Sequence, residues 1–161
     1  MTRDQFINEV RTEQEGLRRF LLALCSGDAQ RADDIAQDAL VKAYIASGSY
    51  VPRVKFSSWL YTIAYNCFID TTRRRVIPTV DAESAQAVST ESDERSDEAF
   101  RYQDLYDAIE TLSTGERATI LLFYMEDLPI KEISRILGMP QGTVRSYLSR
   151  GREHLRKLIK R

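Results

Sequence analysis

The side chains best equipped for specific chemistry in this chain are arginines, and they are concentrated where acids are scarce. From Gly142 to the last residue, Arg145, Arg150, Arg152, Arg156, Lys157, Lys160 and Arg161 stand against Glu153 alone. A guanidinium fork matches the O6 and N7 acceptors of guanine and the oxygens of phosphate, so arginines gathered on one helix suit DNA. A second basic group, Arg53, Lys55, Arg73, Arg74 and Arg75, is opposed only by Asp70, and the stretch between the groups carries Asp81, Glu83, Glu91, Asp93, Glu94 and Asp97 against Arg95. The formal net charge of −1 therefore conceals two basic surfaces flanking an acidic connector, and it is the segregation that a charged ligand feels.

Catalysis has little to draw on. His154 is the only histidine, which rules out a His pair, leaves no convincing hydrolase triad, and is expected to be a solvated helix residue beside Arg156 and Lys157. Cys25 and Cys67 sit among apolar neighbours with no second Cys or His at metal-ligand spacing, so both are expected to be buried, reduced thiols. No glycine-rich phosphate loop is present. The chain is expected to carry no catalytic residue, metal or cofactor.

The elements that must position the arginines follow from apolar spacing. Phe6, Val10, Leu17, Leu21 and Leu24 recur at near-helical intervals, and Ser26-Gly27-Asp28 supplies a stop and the next cap. A second helix from Ala29 to Ala46 places Ile35, Ala36, Ala39, Leu40 and Ala43 on one face and Asp34, Gln37, Asp38 and Lys42 on another. Gly48, Ser49 and Pro52 make Ser47 to Lys55 an exposed loop. Ser57 is expected to cap a third helix running to about Arg75, with Phe56 meeting Tyr61 as a staple. Pro78 closes the first domain, and the Asp-, Glu-, Ser- and Ala-rich stretch after it cannot repay its ordering entropy. Phe100 to Leu112 is again helical, Ser113 to Glu116 has capping-box spacing, and two further helices are split at Gly138. With no β-alternation of useful length, the fold class is all-α: two small helical domains, 1–77 and 98–161, joined by a flexible acidic linker, 78–97.

Pro129 to Arg152 reads PIKEISRILGMPQGTVRSYLSRGR, a short helix, a glycine turn and a second helix, which is helix-turn-helix grammar. Ile133, Leu137 and Met139 can fill the space between the two helices, and Val144, Leu148 and Leu155 can anchor the second from behind. Arg145, Ser146, Ser149 and Arg150 pair at i, i+4 on the outward face, where a major groove would receive them. Arg145 and Arg150 are the favoured base readers, while Arg152, Arg156, Lys157 and, near the helix start, Thr143 and Gln141 suit phosphate. A solvated basic hairpin with no ligand has the same spacing; the turn glycine, the apolar set and the scarcity of acids together favour DNA.

Phe56 to Arg75 reads FSSWLYTIAYNCFIDTTRRR, with Trp59, Tyr61, Tyr65 and Asn66 on a helix ending in three arginines. Aromatic faces stack on exposed bases and arginines neutralise phosphates, a combination suited to strands being separated. Any one of these aromatics can equally be core.

These segments resemble the sigma-70 superfamily, specifically its small extracytoplasmic-function group, over nearly the whole chain. DDIAQDALVKAY (Asp33 to Tyr44) is similar to the family's polymerase-binding helix and FSSWLYTIAYNCFIDTTRRR to its minus-ten reader. LSTGERATILLFYMEDLPIKEISRILGM resembles the start of its C-terminal domain, and PQGTVRSYLSRGREHLRKLI its minus-35 reading helix. The resemblance implies that Asp34, Gln37 and Asp38 face the clamp of core RNA polymerase. It implies that Ser47 to Lys55 is the place where a flipped minus-ten base is captured, with Arg53, Lys55, Trp59, Asn66, Arg73 and Arg74 on minus-ten DNA. Thr143, Arg145, Ser146, Ser149, Arg150 and Arg152 would contact the minus-35 element. It also implies an anti-sigma factor covering these faces. Pro140, where such proteins often have a capping Ser, and Tyr147, where some have a basic residue, depart from the pattern. The capture loop, with Tyr50, Pro52 and Val54, departs from the more usual glycine-containing version.

The function expected is that of a sigma factor, bringing core polymerase to promoters and assisting their melting. A stand-alone helix-turn-helix repressor or activator would instead bind a symmetric operator without polymerase. An adaptor that docks acidic proteins would bind DNA weakly and with little sequence preference. The aromatic set, far from the helix-turn-helix, favours the first. Apolar runs such as Thr119 to Met125 are far short of the roughly 20 residues that span a bilayer, and Arg3, Asp4, Glu9 and Arg11 interrupt any leader-like stretch. A cytoplasmic location without membrane insertion is expected.

Overall fold

The computed structural model describes residues 1–76 and 97–159, with 75–76, 97–102 and 159 as backbone only. The acidic stretch expected to be a flexible linker lies outside the described residues, apart from Asp97. Among the described residues the secondary structure is helical throughout.

Helix α1 (Arg3–Leu24) opens with a reciprocal cap: the Thr2 hydroxyl accepts from the Gln5 amide, and the Gln5 side chain accepts from the Thr2 amide. Two of the helix's orphan donors are thereby satisfied. It ends where the chain enters the left-handed region at Ser26 (φ 56°) and Gly27 (φ 90°), and the Asp28 carboxylate then accepts from the Arg31 amide to cap α2 (Ala29–Ile45). Ala32, Ala36, Ala39 and Ala43 line the buried side of α2 with Ile35. Such small side chains let α1 and α3 (Phe56–Val76) approach it closely. Leu17, Phe20, Leu21 and Leu24 of α1 and Leu60, Ala64, Cys67 and Phe68 of α3 complete this core, each fully buried Leu or Phe contributing about 1.5–3 kcal/mol.

α3 begins at Phe56, so Ser57 lies inside the first turn rather than capping it. Phe56 is buried against Phe6, Tyr50 and Trp59, and Tyr61 stacks on Phe20 with ring centroids 5.4 Å apart. In place of the expected Phe56–Tyr61 staple, both rings pack on α1, Phe56 against Phe6 and Tyr61 against Phe20.

The C-terminal unit comprises α4 (Asp97–Glu110), α5 (Thr114–Ile120), α6 (Ile130–Leu137) and α7 (Gln141–Ile159). The Ser113–Glu116 capping box forms as its spacing predicts. α5 then widens into one π-helical turn, Leu121–Met125, and the chain reverses through Asp127 at φ 54°. Gly138 ends α6 at φ 65°, a conformation that a Cβ opposes and that a helix C-terminus commonly uses. Ile133, Ile136, Val144 and Leu148 are buried between α6, α7 and α5.

The two units are packed on each other. A contiguous apolar core joins Leu17, Phe20, Leu60 and Tyr61 to Leu121, Leu122, Ile133 and Ile136, with α3 against α6 and α1 against the π turn. The seam is also polar: Arg117 Nη1 donates to the Leu24 carbonyl at 2.9 Å, Ser58 to Glu132 at 2.8 Å, and Arg19 and Tyr61 to Glu126.

Candidate nucleic-acid interface

α7 divides cleanly by periodicity. Val144, Leu148 and Gly151 face inward, and Leu155 is half-buried beside them, while Arg145, Ser146, Ser149, Arg150 and Arg152 are exposed. Gly151 is small for a reason: a Cβ there would lie 2.8 Å from Cγ1 of Ile120, so α5 and α7 touch almost backbone to side chain. That contact sets the height at which the arginines stand. Arg145 and Ser149, and Ser146 and Arg150, form the two expected i, i+4 pairs on one open face. Arg150 lies 5.1 Å over the Tyr147 ring, which holds a planar guanidinium by cation–π attraction. Thr143 is half-buried at the start of the helix.

Two residues in this unit sit differently from their sequence reading. Arg152 donates from Nε to the Tyr124 hydroxyl at 2.6 Å and lies over the Phe123 and Tyr124 rings, so its charge is anchored rather than free to sweep. His154 is half-exposed but not merely solvated: its Nδ1 is 3.2 Å from Oε1 of Glu116, the buried acid of the capping box. A partner 38 residues away leaves no trace in local spacing.

On the N-terminal unit, Trp59, Asn66 and Arg73 recur every seven residues and so run along one side of α3, drifting only about 20° per step. Asn66, Arg73 and Arg74 are exposed and Trp59 is half-buried, its ring 5.2 Å from Tyr50 and 5.6 Å from Phe56. Arg53 and Lys55 project from the loop before the helix, where the Tyr50 hydroxyl donates to the Val54 carbonyl at 2.6 Å and pins the loop to the aromatic cluster. Burial holds the Tyr50 hydroxyl above its ordinary pKa. The expected basic and aromatic residues are thus gathered along one helix and the loop that feeds it. Tyr61 and Tyr65 are not among them: both are buried toward the C-terminal unit, and burial raises both phenols.

Asp34, Gln37 and Asp38 are exposed on the outer face of α2. The same face continues into Val41 and Ile45, 58% and 77% exposed, and Tyr44 and Val51 are exposed as well. Positions 34, 38, 41 and 45, at i, i+4, i+7 and i+11, share this side of the helix, so Val41 and Ile45 extend the face that the sequence pattern defines by its acids. Cys25 and Cys67 are buried thiols not joined in a disulfide, and burial raises the Cys67 pKa. Among the described residues no group of His, Cys, Asp and Glu could hold a metal ion, and no helix is long and apolar enough to cross a membrane.

A helix-turn-helix with an open arginine face, carried on an all-helical body with a second aromatic and basic helix, defines a DNA-binding protein. The description "Sigma-70 region 2" matches residues 9–76, and "Sigma-70, region 4" matches residues 102–155. An ECF RNA polymerase sigma factor, SigW of Bacillus subtilis, is 35% identical over 83% of this chain and 78% of its own length. The ECF RNA polymerase sigma-E factor of Escherichia coli is 33% identical over 80% of this chain and 72% of its own length. The sigma factor RpoE of Bartonella quintana, solved in complex with the anti-sigma factor NepR, superposes with a TM-score of 0.78 at 29% identity, covering 97% of each chain. The chain belongs to the sigma-70 family, in its extracytoplasmic-function group of RNA polymerase sigma factors, which are initiation factors and not enzymes.

Proposed function

We propose that this chain carries core RNA polymerase to promoters by three separate faces. The outer side of α2 docks on the polymerase, with Asp34, Gln37 and Asp38 supplying charge complementarity and Val41 and Ile45 the buried apolar centre. The loop before α3 and the side of α3 bearing Arg53, Lys55, Trp59, Asn66, Arg73 and Arg74 take the minus-ten element, stacking unpaired bases and neutralising phosphate. α7 enters the major groove of the minus-35 element with Arg145, Ser146, Ser149 and Arg150, and Thr143 and Arg152 lie against the backbone. Melting is driven by binding energy for unstacked bases, and nucleotide chemistry belongs to the polymerase. The observation that carries the reading is the coexistence of two exposed nucleic-acid faces on the two matched regions, with an acidic and apolar contact face on a third helix. The residues group as a minus-ten domain (1–77), a connector (78–97) and a minus-35 domain (98–161), working in the cytoplasm.

An anti-sigma partner follows by likeness to the Bartonella quintana protein, whose solved structure contains one. The test is initiation itself: purified chain, core RNA polymerase and a pool of promoter fragments, with the started transcripts sequenced. Starts that require the chain and disappear with Arg145→Ala plus Arg150→Ala support the reading. No polymerase binding, together with tight binding of the chain alone to a palindrome, establishes a repressor instead.

A further inference from the structure

Gly115 is an unexpected residue for the first turn of α5. Glycine weakens a helix relative to alanine, and the backbone takes no positive φ here, unlike Gly27 and Gly138. What the position requires is room: a Cβ on Gly115 would lie 2.9 Å from both Cε2 and Cζ of the Tyr147 ring and 3.3 Å from its hydroxyl oxygen. The half-buried Tyr147 ring is therefore seated on the bare backbone of α5. Val144 and Leu148, 0% and 3% exposed, fix the same stretch of α7 from within.

Three residues on, along the same side of the helix, the exposed Arg150 guanidinium lies 5.1 Å from the centroid of that ring, within the roughly 6 Å reach of cation–π attraction. An arginine without such support samples many rotamers and must give them up when its fork meets a base. Arg150 comes to the groove with that freedom already reduced. Its support runs from the α5 backbone through the ring to the guanidinium, wholly within the C-terminal unit.

We propose that Tyr147 is a specificity-determining positioning residue, whose ring, seated on Gly115, aims Arg150 at one base edge of the minus-35 element. This role rests on the proposed function above, which gives Arg150 to base reading. A guanidinium held in one orientation gains fully only where two acceptors are placed as O6 and N7 of guanine are. Once released it can settle on other acceptors, phosphate included, so a wrong base costs less. Loss of the ring therefore acts at one base pair and not on duplex DNA in general.

The test is selection of duplexes from a randomised pool by the chain bound to core RNA polymerase, followed by titration of the selected duplex and its single-pair variants. Arg145→Ala and Arg150→Ala identify the base pair that each arginine reads. Tyr147→Leu is expected to lower the matched-to-mismatched affinity ratio at the Arg150 pair by about two- to fivefold, the range of an exposed cation–π contact. The ratio at the Arg145 pair is expected to stay as it is, and in an Arg150→Ala background Tyr147→Leu is expected to add nothing. Tyr147→Phe, which keeps the ring, is expected to keep the ratio. Gly115→Ala is expected to lower it from a different helix, because the ring must retreat by roughly 0.5–1 Å, and a binding constellation tolerates about 0.5 Å. The atoms in the way are the outer end of a half-exposed side chain, so the unfolding midpoint of Gly115→Ala is expected to hold. An unchanged ratio in Tyr147→Leu or Gly115→Ala, an equal fall at both base pairs, or a fall in Tyr147→Phe matching that in Tyr147→Leu overturns the role of Tyr147 and leaves the proposed function standing. A complex that selects no duplex sequence, or an Arg150→Ala variant that relaxes no base pair, overturns the assignment of Arg150 to base reading and this role with it.

Discussion

Two glycines on α7 should respond to the same substitution with opposite signs. Replacing a helical glycine by alanine ordinarily gains about 0.5–1 kcal/mol, because alanine has less backbone freedom to lose. Gly142 has open space where a Cβ would go, so Gly142→Ala is expected to stabilise the chain by up to about 1 kcal/mol. At Gly151 the new carbon would meet Ile120 Cγ1 at 2.8 Å and Cδ1 at 3.1 Å, against about 3.5–4.0 Å for comfortable carbon contact. Ile120 is buried against Leu112 and Leu148, which leaves it little room to retreat. Forcing α7 off α5 costs about 1–3 kcal/mol as overpacking, so the net change is a loss of up to about 2.5 kcal/mol after the propensity gain. Urea unfolding followed by far-ultraviolet circular dichroism measures both, with the midpoint rising for Gly142→Ala and falling for Gly151→Ala. Equal stabilisation by the two variants would refute the close α5–α7 contact and, with it, the account of what sets the height of the arginine face.

Other consequences are open to direct measurement. Arg145→Ala or Arg150→Ala is expected to weaken minus-35 binding by about 1–3 kcal/mol and relax base preference at one position, whereas Arg156→Ala should weaken all sequences alike and lower the salt slope by about 1; a titration against matched and mismatched duplexes at several salt concentrations separates the two. Ile45→Ser should leave the unfolding midpoint unchanged, since the side chain is exposed, yet cost more than about 1 kcal/mol in affinity for core polymerase; undiminished affinity counts against the α2 docking face. Glu13 is raised above the ordinary carboxylate pKa by burial first and then by Glu9 and Glu126. The folded chain therefore holds that proton more tightly than the unfolded one, and ionisation of Glu13 is a penalty that grows as pH rises through its folded value and vanishes below the unfolded value. Glu13→Gln should accordingly stabilise at neutral pH and lose that advantage in acid, which unfolding curves at several pH values will register.

Local chemistry was the legible part of this fold. The Asp28 cap, the Ser113–Glu116 box and the Gly138 turn each depend on residues within a few positions of one another, and each forms as its spacing predicts. The arginine face of α7 was legible for the same reason: helical periodicity and scarce acids are enough to define it. Ser57 lies inside the first turn of α3, and Phe56 does not staple to Tyr61 because it packs instead on Phe6 and Tyr50 from other segments and on Trp59 of its own first turn. His154 with Glu116, Arg117 with Leu24 and Arg19 with Glu126 pair across long separations, and no periodicity encodes a contact that only tertiary packing creates. Val41 and Ile45 on the α2 face are exposed, and helical spacing alone aligns them with Asp34 and Asp38.

The seam between the units links residues that the chain keeps far apart. Leu24 offers a carbonyl from the last turn of α1, and Arg117, from the other unit, takes it along with the carbonyls of Glu110 and Leu112. Half of the Leu24–Arg117 bond is therefore inherited with one region and half with the other. A chimaera joining this N-terminal region to the C-terminal region of a distant relative would bring Arg19 against whatever replaces Glu126, and the Leu24 carbonyl against whatever replaces Arg117. Positions 19 and 126 are expected to have drifted together through descent, so that ancestry at one region constrains which partner region can be grafted to it.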